Sequence, residues 1–162
     1  MLAKIKESLF YRTLLLRLFG FWKIPLIFYV RPRITVWTAE SLVCCIPLRR
    51  RTKNHLNGMY FGVLAVGADL AGGFMAFEAA RLSGKKVSLI FKSMEAQFLK
   101  RAEGDVYFSC NQGVALADLV ARAISTKERV EIPVDVVATV PSHFGADPVA
   151  RFTLVISMKL AS

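Results

Sequence analysis

Met59-Tyr60-Phe61-Gly62-Val63-Leu64-Ala65-Val66-Gly67-Ala68-Asp69-Leu70-Ala71-Gly72-Gly73-Phe74-Met75-Ala76-Phe77 holds nineteen residues and one charge, Asp69. Two structures compete for such a stretch. About 20 apolar residues suffice to span a bilayer. A helix apolar on every side is equally what a sheet wrapped around it requires. Gly62, Gly67, Gly72 and Gly73, an acid at the centre and strand patterns on both sides favour the second. Ala65, Ala68, Ala71 and Gly72 would let strands approach closely. We read residues 59–82 as a buried central helix.

The flanks agree with this reading. Upstream, Arg33–Ala39 and Ser41–Leu48 are rich in Ile, Val, Thr, Trp and Cys and read as a hairpin. Downstream, Lys86–Leu99 predicts one long strand or a bulged pair, and Asp105–Asn111 another strand. Gly113–Ser125 carries apolar residues at helical spacing, at Val114, Leu116, Leu119, Val120 and Ile124. Arg129–Val140 and Ala150–Leu160 alternate with period two, as half-buried strands do. The fold class is therefore α+β, with an antiparallel sheet curled round one long apolar helix.

The whole chain has 162 residues, 54% of them hydrophobic, which excludes intrinsic disorder and allows one well-packed domain. Cys44, Cys45 and Cys110 form no even disulfide framework. With only His55 and His143 as imidazoles, no metal site and no cofactor are expected. We expect a reduced, cytoplasmic setting. The net charge is +10, and residues 1–53 hold eleven Lys or Arg against Glu7 and Glu40. A nucleic-acid partner is not expected, since the chain lacks a recognition-helix motif, zinc ligands or RNP-like strands.

We divide the chain into a basic N-terminal helix and connector, residues 1–32, and a domain over residues 33–162. Residues 2–19 read as a helix ended by Gly20. Within them and just beyond, residues 13–22 form a short apolar run that Arg17 interrupts, with no small-residue cleavage site after it and too little length to span a membrane. The prolines at Pro25 and Pro32 predict an extended connector. The helix either packs on its own domain or lies against an anionic membrane surface, as basic amphipathic helices do. The second alternative would make the protein peripheral to the inner membrane surface.

Asp69 introduces chemistry. Its helix propensity costs a few tenths of a kcal/mol against Ala, whereas an uncompensated buried carboxylate costs several. The cost of burial dominates and demands a reason, either a hydrogen bond to buried backbone or work as a general base. Nearby, Arg49, Arg50, Arg51 and Lys53 form a basic loop, which is either solvated or binds phosphate.

The run Asn54-His55-Leu56-Asn57-Gly58-Met59-Tyr60-Phe61-Gly62, with Asp69 fifteen residues after Asn54, resembles the signature of hotdog-fold acyl-CoA thioesterases of the phenylacetate-pathway type. It is closer still to a bacterial branch with a basic N-terminal extension. The resemblance covers residues 34–160 and implies a hotdog fold and paired subunits. It also implies roles: Asn54 orients the thioester carbonyl, the Phe61 amide is the oxyanion donor, and Asp69 activates water. Phe61 and Gly62 stand in the Gly-Gly positions of the signature. Tyr60 stands where the signature has His, and Leu70 where Thr or Ser often follows the acid.

Geometry adds a constraint of its own. Phe61 and Asp69 are eight residues apart, about 12 Å along a helix. One thioester carbon cannot meet both, so a working site pairs the helix start of one chain with Asp69 of another. The expected assembly is a homodimer, or a dimer of dimers, joined edge to edge through the sheet. The expected activity is hydrolysis of an acyl-CoA or related acyl-carrier thioester, with the basic loop on the coenzyme A phosphates. The alternative is a non-catalytic acyl-CoA binder or sensor using the same pocket.

Overall fold

The computed structural model describes residues 8–161. Eleven elements follow one another: α1 (Leu9–Lys23), α2 (Pro25–Val30), β1 (Arg33–Trp37), β2 (Leu42–Ile46), α3 (Phe61–Leu82), β3 (Val87–Phe98), β4 (Val106–Cys110), α4 (Gly113–Thr126), β5 (Val130–Thr139), α5 (Pro141–Phe144) and β6 (Pro148–Leu160). The six strands form one sheet in the order β1-β2-β4-β5-β6-β3, and each neighbouring pair is antiparallel. Helix α3 lies in the curl of this sheet, packed on β2, β3, β4, β5 and β6 and reaching β1 where Phe74 meets the Trp37 ring, centroids 5.5 Å apart. This is the hotdog arrangement.

Small residues let α3 sit so close. A Cβ added to Gly67 would fall on the Phe108 ring, and one added to Gly72 would come within 2.9 Å of a Leu154 methyl. Ala68, Ala71 and Ala76 are fully buried on the same helix. Phe108, Phe152, Leu154 and Ile156 are among the large buried side chains of the sheet. Among the described residues, α3 is the one helix long and apolar enough to cross a membrane. Its burial within the sheet makes it the core helix instead.

Strand β3 runs twelve residues and slips register between Phe91 and Ser93, so the long strand and the bulge expected at Lys86–Leu99 are one element. Among the described residues, no further strand pairs with the outer side of β3.

The N-terminal region differs from expectation in two places. Helix α1 passes through Gly20 and ends at Lys23. Gly20 is a contact point here, since a Cβ would lie 2.7 Å from the Phe28 backbone nitrogen. The missing side chain lets the following segment fold back. That segment is α2, a short helix where an extended connector was expected. Pro25 opens it from the first helical position, where the absent N–H costs nothing. Buried Ile27 and Val30 hold it down. The start of the predicted 2–19 helix lies outside the described residues.

Candidate active site

The loop before α3 is fixed by Asn54. Its side-chain Oδ1 accepts the backbone N–H groups of Leu56 (2.9 Å) and Gly58 (3.2 Å), closing an Asx-type turn with Asn57 in the left-handed region at φ 64°. The carboxamide oxygen is thus committed to the loop. Lys53 reaches Asn57 Oδ1 at 3.1 Å and pairs by backbone with Met59.

Tyr60 is the N-cap of α3 and caps nothing with its side chain. Its carbonyl accepts from Val63 and Leu64, whereas the amides of Phe61 and Gly62 donate to no backbone oxygen among the described residues. These are orphan donors at the positive end of the helix dipole. The Tyr60 ring folds over the helix start, and a Cβ on Gly62 would meet it at 2.6 Å. Tyr60, Phe61, Phe98 and Phe152 continue as a chain of rings with centroids 4.8, 6.2 and 6.0 Å apart. That chain ties the helix start to the β3 edge.

Asp69 lies on the same helix, about two turns further on. It is half-buried, and burial alone raises its pKa above the ordinary carboxylate value. Among the described residues, no hydrogen bond to a sheet edge explains it. It opens instead on a cavity of about 370 Å3. Leu70, Phe74 and Phe77 of α3 form one wall, Val87, Leu89 and Phe91 of β3 another, and Leu16, Phe19, Ile24 and Ile27 of the N-terminal helices the third. Apart from Asp69, the residues that line it are apolar.

The basic loop lies elsewhere. Arg49, Arg50 and Arg51 line a second cavity of about 730 Å3, together with Arg17, Tyr29, Arg31 and Arg33. Thr52, buried, braces the loop by accepting from the Arg49 N–H and donating to the Pro47 carbonyl, both at 2.8 Å. Asp105 accepts the Leu48 N–H at 2.9 Å and pairs with Arg33 at 3.3 Å. Arg51 stands over the Tyr29 ring, 5.3 Å from its centroid. Burial, Arg31 and Arg33 all depress the Arg17 pKa, so the cavity concentrates positive charge.

Of the residues singled out from sequence, Lys53, Asn54, Tyr60, Phe61 and Gly62 meet at the helix start. Asp69 is apart from them on the same chain, and Arg49–Arg51 line a different cavity. Sequence reading missed Arg17, Arg31 and Arg33 as partners of that loop. The signal was the lack of any acid between Leu9 and Ala39.

Solved structures similar to this chain include a protein of unknown function from Chlorobaculum tepidum, at 13% identity and TM-score 0.80, with 95% of this chain and 98% of that one covered. A proposed thioesterase from Shewanella oneidensis matches at 14% identity and TM-score 0.76, covering 91% and 96%. A thioesterase from Haemophilus influenzae matches at 9% and 0.63, covering 88% of each. These likenesses establish the hotdog fold. No curated protein matches the sequence. A family model described as a domain of unknown function, DUF4442, matches residues 12–144, and the chain belongs to that family.

Proposed function

We propose that the protein hydrolyses acyl-CoA or related acyl-carrier thioesters at two sites, each shared between two copies of the chain. The observation that carries this is the split on α3: orphan amides at its start, and a carboxyl facing an apolar cavity about 12 Å further on. Supporting it, the fold's neighbours from Shewanella oneidensis and Haemophilus influenzae bear thioesterase names. Asn54, in the loop that leads into α3, and Asp69, within the helix, stand at the positions of the phenylacetate-type signature.

In this reading Asp69 takes a proton from water, and the resulting hydroxide attacks the thioester carbonyl carbon. The oxyanion sits on the Phe61 and Gly62 amides of the other chain, a stabilisation of about 3–4 kcal/mol where single donors have been removed. The Asn54 NH2 group orients the carbonyl. Collapse breaks the C–S bond, and the thiolate takes the proton back from Asp69. The products are a carboxylic acid and coenzyme A. Tyr60 packs over the oxyanion donors but is no base near neutrality.

The second copy docks along β3. Its Ile90, Phe91, Met94 and Phe98 are all more than 40% exposed, on a twelve-residue edge strand. A long, apolar, uncovered edge is a ready template for another chain. The acyl group enters the cavity beside Asp69, while Arg49, Arg50, Arg51 and Lys53 take the coenzyme A phosphates. We place this activity in the cytoplasm.

Leu70 and Tyr60, in the places of a hydroxyl residue and a His, favour a second reading, in which the pocket binds acyl-CoA without turnover. Thiol release across short, long and aromatic acyl-CoA substrates separates the two. Steady release that depends on the acyl group supports hydrolysis. Stoichiometric acyl-CoA binding without release overturns it in favour of the binder.

A further inference from the structure

Helix α1 is apolar on two opposite sides, and the described residues of the chain cover only one. Leu16 and Gly20 are buried against the fold. Phe10, Leu14, Leu18 and Phe21 fall at i, i+4, i+8 and i+11, within an arc of about 80° on the other side. All four are exposed, Phe10 at 79%. Trp22 at 75% and Leu26 at 53% continue the stripe into α2. Each apolar side of a helix calls for cover, and here one of the two has none from the described part of its own chain.

Charge selects the cover. From Leu9 to Ala39 the sequence holds Arg12, Arg17, Lys23, Arg31 and Arg33 and no acid. Arg33 pairs with Asp105 and Arg12 stacks on Trp37, whereas Arg17, Lys23 and Arg31 have no acidic partner among the described residues. A two-fold contact sets the same patch on both copies face to face and would bring these three toward their own images. An anionic bilayer complements them, while Leu and Phe enter the acyl boundary and Trp22 and Tyr29 suit the headgroup level.

We propose that the α1–α2 hairpin is a docking surface for anionic membrane, with its uncovered stripe of Phe10, Leu14, Leu18, Phe21, Trp22 and Leu26 seated in the lipid interface. This goes beyond the thioesterase reading and does not depend on it. The docked protein lies on one leaflet, because α1 with fifteen residues is too short to span.

The test is co-sedimentation of the full chain with phosphatidylglycerol-containing vesicles and with pure phosphatidylcholine vesicles. Binding is expected on the first, weakened by salt, with quenching of Trp22 by brominated lipid. W22Q/L26Q, both at exposed positions, should bind at least tenfold more weakly, and so should F10Q. K23Q should weaken binding about fivefold, equivalent to about 1 kcal/mol. Three results overturn the proposal: no binding to anionic vesicles, equal binding to both compositions, or W22Q/L26Q and F10Q binding as the unaltered chain does. A fourth is loss of the dimer in those variants by sedimentation velocity, which would assign the stripe to a second copy.

Discussion

The first turn of α3 and the turn that carries Asp69 belong to one helix but to different surroundings. At the start, Phe61 is 59% exposed, two amides lack backbone acceptors, and a ring of aromatics leads to the open sheet edge. Two turns on, Asp69 is sunk beside an apolar cavity, with its proton held more tightly than usual. In the proposed mechanism one end offers donors to a developing anion and the other a base. Neither is a site by itself, and the rigid helix between them keeps them too far apart for one thioester. A straight core helix thereby makes dimerisation a condition of the proposed chemistry.

The largest effect that sharpens this contrast is expected at the acid end. Asp69→Asn removes the base but keeps the shape, so kcat should fall about 10²–10⁴-fold in thiol release. At the other end, Phe61→Pro is the matched change. Proline is tolerated at the first helical position, and Tyr60 before it already has extended backbone, at φ −63° and ψ 135°. It removes one amide donor, and kcat should drop about 10²–10³-fold. Phe61→Ala, which keeps the amide, should lose far less. Equal losses in the two Phe61 variants would assign the effect to the aromatic ring.

Smaller effects lie away from both ends. Replacing Arg50 and Arg51 by Gln should raise KM about fivefold per residue, on the scale of about 1 kcal/mol for exposed charge pairs. The salt dependence of KM should weaken while kcat holds. Unchanged KM would leave the loop as solvated surface. Gly67 sits between the two ends and against Phe108, so Gly67→Ala should cost about 1–3 kcal/mol through overpacking. Its melting temperature should fall by about 2–4 °C per kcal/mol.

The smallest effect is in pH. Burial raises the Asp69 pKa, so between the unfolded value of about 3.9 and the folded value the native chain holds more protons. The stability from this group is complete below the unfolded value and is lost as pH rises through the folded one. Asp69→Asn, which cannot ionise, should therefore melt higher than the unaltered protein at pH 7.5, and the difference should close toward pH 4. A lower melting temperature at pH 7.5 would mean that Asp69 holds the fold together. In the unaltered protein the acid limb of kcat should lie above the ordinary carboxylate range.

The strands were legible because apolar residues alternate along them, and the central helix because a stretch with one acid in nineteen residues has few homes. The N-terminal hairpin was not. Pro25-Leu26-Ile27-Phe28-Tyr29-Val30 is too short and too β-branched to announce a helix, and tertiary contacts of Ile27 and Val30 decide it. Gly20 carries the local signature of a stop, and only the approach of Phe28 reveals it as a crossing point. For the candidate site, Asn54-to-Asp69 spacing was visible as a linear pattern. The arginine cavity gathers positions 17, 31, 33 and 49–51 through folding, which no spacing rule anticipates.

The most direct test of the shared site is a dual-tagged heterodimer of one Asp69→Asn chain and one Phe61→Pro chain. In a two-fold assembly, one of its sites combines an intact helix start with an intact Asp69, and the other combines both defects. Purified heterodimer should recover about half the activity of the unaltered dimer, far above either variant alone. A heterodimer no more active than the two parent variants would contradict a site built from two chains.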